Sequence, residues 1–390
     1  MKIVHIAANS PFNDGWGYQD NLLPKYQSKL GHEVTLLVTD TTHSEKGIVR
    51  TDEKSFMSVD GFDVIRFPYK QYPVDLMTKV FYKMEIYDTL VALQPDFIFS
   101  HGLLSRTFCD VIRYQKLRKK QGKPCVVVQD NHLDYNIGTK FATVKQKLLR
   151  SYYRAFNRRT QKYVSRVYGV TPWRKTYAED YYRIRSEKTD VLIMGADDEK
   201  IDFVHREEIR AEIRNRFGIA ENQFLIVTGG KIDKRKNILP LVEACQNMKN
   251  TKLLVFGSPA DDVKEDFEHL LKNSDNVNYI GWIPADGVYD YFFAADLVVF
   301  PGQHSVLWEQ ACASKVPCVF LRWEGMDHVN AGGNAAFLDD ASVASIKDMI
   351  ESLHFTPRYQ AMKQVAQSEA TDIFLYSEIA KKSIETWNER

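Results

Sequence analysis

Residues 224–237 read Phe224-Leu225-Ile226-Val227-Thr228-Gly229-Gly230-Lys231-Ile232-Asp233-Lys234-Arg235-Lys236-Asn237. A short apolar run bounded by turn residues is the pattern of a strand buried on both faces of a parallel sheet. The strand is expected over Phe224 to Thr228. The paired glycines are expected to turn the chain sharply at its C-terminal end, and cations follow at once. Such strand ends are where doubly wound α/β folds bind ligands.

The same alternation of short β-branched runs with longer amphipathic segments extends in both directions. Downstream, strands are expected over Lys252 to Phe256, Val277 to Ile280, Leu297 to Phe300 and Cys318 to Leu321. Upstream, they are expected over Lys2 to Ala7, Glu33 to Val38, Phe62 to Phe67, Asp96 to Ser100, Cys125 to Gln129, Val164 to Val170 and Asp190 to Ile193. The first helix carries Leu22, Leu23, Tyr26 and Leu30 at helical spacing and should stop at Gly31. A charged stretch between Ala196 and Asn222 separates the two strand series. The reading is therefore α/β, with two doubly wound Rossmann-like units in tandem facing each other across a cleft. Boundaries are expected at 1–195 and 196–370, with a C-terminal segment 371–390, helical from about Tyr376 to Trp387, packing back on the first domain.

Composition narrows the class. The 390 residues are 44% hydrophobic, 12% aromatic and 26% charged, more than one ordinary core needs and too apolar for a disordered chain. Lys plus Arg is 52 against 51 Asp plus Glu, a net charge of +1, which argues against a dedicated nucleic-acid binder. The five cysteines form no C-x-x-C pair, so a reducing cytoplasm is expected rather than a disulfide framework or zinc knuckle. No run approaches the ~20 apolar residues of a membrane span, so a soluble protein is expected.

Three stretches can carry chemistry. In the first, quoted above, Lys231 and Lys236 could clamp adjacent phosphates as point charges beside Gly230. The alternative is a solvated loop, and the P-loop spacing is absent. The second is Phe300-Pro301-Gly302-Gln303-His304-Ser305-Val306-Leu307-Trp308-Glu309-Gln310-Ala311. A helix beginning near Ser305 would turn its free amides and positive dipole end toward a diphosphate. Glu309, one turn in, could accept from a ribose diol or merely complement the dipole. The third is Asn13-Asp14-Gly15-Trp16-Gly17-Tyr18, where Gly15 and Gly17 allow close backbone approach to a ligand, with Trp16 between them, or simply make a tight turn. A dinucleotide fingerprint would need a third glycine where Asp20 stands, although Asp40 imitates its ribose acid.

Together with Val277-Asn278-Tyr279-Ile280-Gly281-Trp282-Ile283-Pro284 and the Cys312-to-Val319 stretch, these residues resemble the family-4 glycosyltransferases of the GT-B fold, in the type that assembles bacterial cell-envelope polysaccharides. The resemblance covers nearly the whole chain. It implies retaining transfer of a sugar from a nucleoside-diphosphate sugar to a hydroxyl of a glycan or lipid-linked oligosaccharide acceptor, with no resident metal or other cofactor. It further implies donor contacts at Gly230, Arg235, His304, Ser305, Val306 and Glu309, and a nucleotide base near Trp282 and Ile283. It assigns His132 to the donor sugar, Lys231 and Lys236 to the leaving phosphate, and His101 and Asp130 to the acceptor side. The family's first motif carboxylate is replaced by Pro301, its usual glycine by His304, and its phosphate-clamp arginine by Lys231, whose missing fork Arg235 is expected to restore.

Charge is uneven on a local scale. Residues 140–188 hold 14 Lys or Arg against 3 Asp or Glu, a balance of +11. Within them Val144, Leu148, Tyr152 and Phe156 recur every four residues beside Lys145, Lys147, Arg150, Arg154 and Arg158. This is the pattern of a helix lying on an anionic membrane, or of one docking its apolar stripe on the sheet. The expected location is cytoplasmic, with a peripheral seat on the inner face of the cell membrane as the further expectation, and no nucleic acid as partner. Two other readings stand beside the transferase: an NAD-dependent oxidoreductase, and a non-catalytic saccharide-binding or scaffold protein on the same fold.

Overall fold

The computed structural model of the chain describes residues 1–73, 75–136, 140 and 142–388. Residue 141 of the basic stretch and residues 389–390 of the C-terminal segment lie outside this set. The chain divides into two compact units, one formed by Met1–Ile193 with Ile379–Arg390, the other by Met194–Glu378.

The first unit contains β1 (Lys2–Ala7), β2 (Glu33–Thr39), β3 (Thr41–Ser44), β4 (Gly47–Arg50), β5 (Ser55–Met57), β6 (Asp63–Phe67), β7 (Phe97–Ser100), β8 (Val126–Asn131), β9 (Arg166–Gly169) and β10 (Thr189–Val191). Its main sheet has the order β10-β9-β8-β7-β1-β2-β6-β5, parallel throughout except for β5 against β6. Strands β1, β2, β7 and β8 are buried on both faces, which is why each reads as a nearly unbroken apolar run rather than an alternating one. The strand order reverses between β7 and β1, so the segments following these strands, and β8 beside them, share one edge of the sheet.

The helix Gln19–Lys29 buries Leu22, Leu23 and Tyr26. Leu30 falls outside it and is exposed, because Gly31, at φ 84°, ends the helix there. Near the other end of the sequence, helix Tyr376–Ser383 from Ile379 onward and helix Glu385–Asn388 join this unit, so the returning segment begins at Ile379 rather than at 371. Ile379 and Ala380 are buried, and the Gln27 amide donates to Ser383 Oγ at 2.8 Å.

The second unit contains β11 (Phe224–Ile232), β12 (Thr251–Pro259), β13 (Val277–Gly281), β14 (Leu297–Phe300), β15 (Cys318–Leu321) and β16 (Ala335–Leu338). They form one parallel sheet in the order β13-β12-β11-β14-β15-β16. Its reversal lies between β11 and β14, which puts the loops after these two strands side by side.

Strand β11 runs four residues beyond the expected Thr228. Gly229, Gly230 and Lys231 do not turn the chain; they pair with Phe256, Gly257 and Ser258 of β12. Close packing requires the glycines. A Cβ on Gly229 would fall 2.4 Å from the Phe256 ring, and one on Gly257 would fall 1.7 Å from the Gly230 carbonyl oxygen. The turn comes at Asp233, whose carboxylate caps the short 3-10 helix Lys234–Lys236, and at Asn237, with φ 52°.

Candidate functional site

In the second unit the loops after β11 and β14 are stitched together. Gln303 N donates to Arg235 O at 2.8 Å, Asn237 Nδ2 to Pro301 O at 3.0 Å, and Lys236 Nζ to Gln303 O at 2.6 Å. Gly302 is packed so tightly that a Cβ there would lie 2.3 Å from the Lys236 backbone. Burial lowers the Lys236 amine to about 8. Lys231 is exposed. It lines a cavity of about 490 Å³ with Gly230, Gly257, Trp282, Ile283 and Leu307. Trp282 is 71% exposed, leaving its indole face open to a flat ring.

Arg235 does not supply a second phosphate fork. Its guanidinium binds the Asp233 carboxylate through Nη2 at 2.7 Å and Nε at 3.2 Å. The acid two residues away captures the fork before a ligand arrives.

The expected helix at Ser305 begins later. It spans Leu307–Ala313, with Val306 as N-cap, and Ser305 accepts from Trp308 N through its carbonyl. Glu309 is not an open carboxylate at the helix start. It is completely buried, and its Oε1 accepts from His304 Nε2 at 2.7 Å and His328 Nε2 at 2.8 Å. These two imidazoles hold the carboxyl far below the usual carboxylate range, against the opposing effect of burial. Its other oxygen, Oε2, is buried with no hydrogen-bond partner among the described residues.

His328 was not anticipated from the sequence. It lies in the short 3-10 helix Asp327–Val329, well past the end of β15 at Leu321, so the placement directly after a strand that selected His132 would not have selected it. The ligand atoms of His304, Glu309 and His328 lie within 4.8 Å of one another, close enough to hold a metal ion. Both imidazoles meet the same oxygen at ordinary N–H···O distance, so the geometry is equally that of two donors on one acceptor.

In the first unit, His101 follows β7, while Asp130 ends β8 with His132 just beyond it. Asp130 is completely buried. Its Oδ1 accepts from Gly102 N at 2.6 Å, and its Oδ2 lies 2.9 Å from His101 Nδ1 and 3.4 Å from His132 Nε2. The His132 side chain is 44% exposed. His5, unremarked in the sequence reading, lies behind His101, with Nδ1 3.1 Å from His101 Nε2.

Gly15, at φ 71°, Trp16 and Gly17 form the turn after β1, and the Trp16 ring stacks on His43 with centroids 5.5 Å apart. Asp40, the ribose acid of the dinucleotide alternative, is occupied: it accepts from Tyr69 N at 2.8 Å and pairs with Arg50 at 3.4 Å. The structure thus gathers Gly230, Lys231, Lys236, Trp282, Ile283, His304, Ser305, Val306 and Glu309 in one unit, and His101, Asp130 and His132 in the other.

Twin parallel α/β units with ligand-ready loops at both strand reversals define the GT-B class, and the comparisons with known proteins agree. Residues 23–200 match the Glycosyltransferase Family 4 profile, and residues 209–368 match Glycosyl transferases group 1. The chain belongs to the family-4 glycosyltransferases of the GT-B fold. A protein of Bacillus subtilis (strain 168), named as the teichuronic acid biosynthesis glycosyltransferase TuaC, is 32% identical over 123 residues, covering 30% of this chain and 29% of that protein. Among solved structures, Anabaena Alr3699/HepE in complex with UDP superposes with a TM-score of 0.70 at 14% identity, over 100% of both chains. A glycosyltransferase from Rickettsia africae ESF-5 gives 0.70 at 14%, covering 100% of this chain and 98% of that one. WaaG, a lipopolysaccharide glycosyltransferase, gives 0.64 at 18%, over 99% of both.

Proposed function

We propose that this chain transfers a sugar from a nucleoside-diphosphate sugar to a hydroxyl of a glycan or lipid-linked acceptor, with retention of configuration and without a resident metal. The observation that carries this reading is the pair of stitched loops after β11 and β14 beside the cavity bearing Lys231 and Trp282. Trp282 stacks on the base, and the Oε2 atom of Glu309 is the oxygen left for a ribose diol. Lys231, Lys236 and the backbone around Ser305 and Val306 offset the charge that develops on the departing phosphate, the kind of preorganised electrostatics that is usually the largest catalytic contribution. His132 contacts the donor sugar, and the departing phosphate oxygen takes the acceptor's proton. The UDP and UDP-glucose complexes of Alr3699/HepE, a protein of the same fold, support a donor of this kind.

A second observation concerns location. No helix among the described residues is long and apolar enough to cross a membrane. The helix Val144–Thr160 buries Leu149, Arg150, Tyr153 and Asn157, and of the stripe expected to dock on the sheet Phe156 packs against the core while Val144, Leu148 and Tyr152 do not. Val144 and Leu148 are left 74% and 63% exposed beside Lys145 and Lys147. Apolar side chains flanked by cations favour the anionic-membrane reading over simple docking, and a lipid-linked acceptor fits such a seat.

The test is a thermal-shift panel of nucleotide sugars followed by titration of UDP and GDP. Saturable binding weakened by Lys231→Ala, Lys236→Ala and Glu309→Ala is expected. Binding unchanged in all three variants removes the site assignment. Quenching of nicotinamide fluorescence instead would restore the oxidoreductase. Binding with no hydrolysis or transfer of any sugar nucleotide would leave a scaffold.

A further inference from the structure

A run of buried polar side chains crosses the first unit, and its hydrogen-bond directions can be followed from one end. The Ser383 hydroxyl donates to Ala380 O at 2.6 Å, so toward Gln27 Nε2, 2.8 Å away, its oxygen must accept. This turns the Gln27 carbonyl oxygen to His5 Nε2, at 2.7 Å. An amide oxygen can only accept, so His5 carries its proton on Nε2. Complete burial pushes His5 down to about 3, which keeps it neutral and leaves Nδ1 a bare lone pair. That lone pair faces His101 Nε2 at 3.1 Å and needs a donor. On the other side of the ring, His101 Nδ1 faces Asp130 Oδ2 at 2.9 Å. Asp130 is held ionised by His132 and His101 and already accepts from Gly102 N, so this contact also needs a donor.

We propose that His101 is a largely enclosed imidazolium, protonated on both nitrogens by the run from Ser383 through Gln27 and His5, and that it acts through Asp130 as a positioning residue for His132. The second half rests on the role given to His132 above. Asp130 Oδ2 is shared by the two histidines, so the carboxylate that matches His101 in charge also sets where the exposed His132 ring points. The charged groups facing His101 agree in sign. Asp130 from β8 and Asp20 from the first helix both raise it, against burial. His5, being neutral, adds a lone pair and no charge.

The experiment is long-range 1H–15N spectroscopy of the full chain labelled on histidine, near neutral pH, with peaks assigned by His5→Gln and His101→Gln. Two protonated-type nitrogens on His101 and one on His5 are expected. A bare nitrogen on His101 overturns the inference. Ser383→Ala, which frees the Gln27 amide to turn, should shift His101 toward a single-proton tautomer, while Ser383→Thr should not; a His101 signal unmoved in both would show that the run does not set its protonation. Asp130→Asn, checked for folding by circular dichroism, should lower kcat about tenfold or more with little change in nucleotide KM, and Asp130→Glu should recover part of the loss. Unchanged kcat would overturn the positioning role. An intact His101 signature with no activity on any sugar nucleotide would instead sink the transferase reading and leave the imidazolium standing.

Discussion

Lys236 Nζ donates to the carbonyl of Gln303 at 2.6 Å, so a cation placed at the phosphate by sequence also fastens one ligand loop to the other. Its amine is lowered to about 8 from an ordinary 10.5. In the unfolded chain it still binds a proton between these values, so stability should rise with pH from about 8 to 10.5, with the full cost of the buried cation present below. Lys236→Met should flatten that rise in denaturant titrations. A diphosphate beside the amine draws the proton back. Calorimetry of UDP binding near pH 8, in two buffers of different ionisation enthalpy, should show partial proton uptake that Lys236→Met abolishes. No uptake by the unaltered protein would separate Lys236 from the diphosphate.

Glu309 should dominate the acid limb of the second unit. Its folded value lies far below the ordinary 4.5, so the stability it contributes is complete above that pH and declines as pH falls below it. Glu309→Gln leaves His304 and His328 without their shared anion. It should cost about 3 kcal/mol by denaturant unfolding near neutral pH and reduce the dependence below 4.5. Equal stability and an unchanged acid limb would mean that the two imidazoles do not hold the Glu309 carboxylate as their distances indicate.

Gly257→Ala tests the close approach of β11 and β12. Both the positive φ of 115° and the 1.7 Å approach to the Gly230 carbonyl forbid a methyl group there. A loss of about 3 kcal/mol or more is expected, with nucleotide binding lost as the strand ends separate. Gly287→Ala, where the nearest neighbour would be 3.9 Å away, is the control and should be nearly neutral.

Leu148→Ser combined with Val144→Ser alters only exposed side chains, so melting temperature should stay within a degree or two. Sedimentation with anionic vesicles should fall about tenfold or more. Binding by the unaltered protein should weaken as salt rises, since each cation near the surface contributes about 1 kcal/mol that screening removes. Salt-independent sedimentation would defeat the electrostatic account.

The architecture was legible because strands buried on both faces leave continuous apolar runs, and β14 and β15 emerge with their expected limits. Strand β16 was missed because Ala335-Ala336-Phe337-Leu338 is too short and alanine-rich to stand out. The three small strands β3 to β5 were missed because they are largely exposed and carry no run. At the site, the order of loops along the chain indicated which residues share a strand end but not their hydrogen-bond partners. Two glycines in a row signal freedom to turn or room for close packing, and only the position of β12 distinguishes them at Gly229 and Gly230. The capture of Arg235 by Asp233 overturns its expected part in the phosphate clamp, and only a two-residue spacing signals it in the sequence. The enclosure of Glu309 by His328 has no such signal, because 18 intervening residues and a strand separate them in sequence.

Ile379–Arg390 belongs to the first unit although the whole second unit is synthesised before it. On the ribosome, the domain begun earliest therefore waits longest for its last side chains, Ser383 among them, and until that segment leaves the exit tunnel it must persist with the face they cover open to solvent. A chain truncated after residue 378 and released from the ribosome should hold a second unit that folds and a first unit that chaperones still recognise.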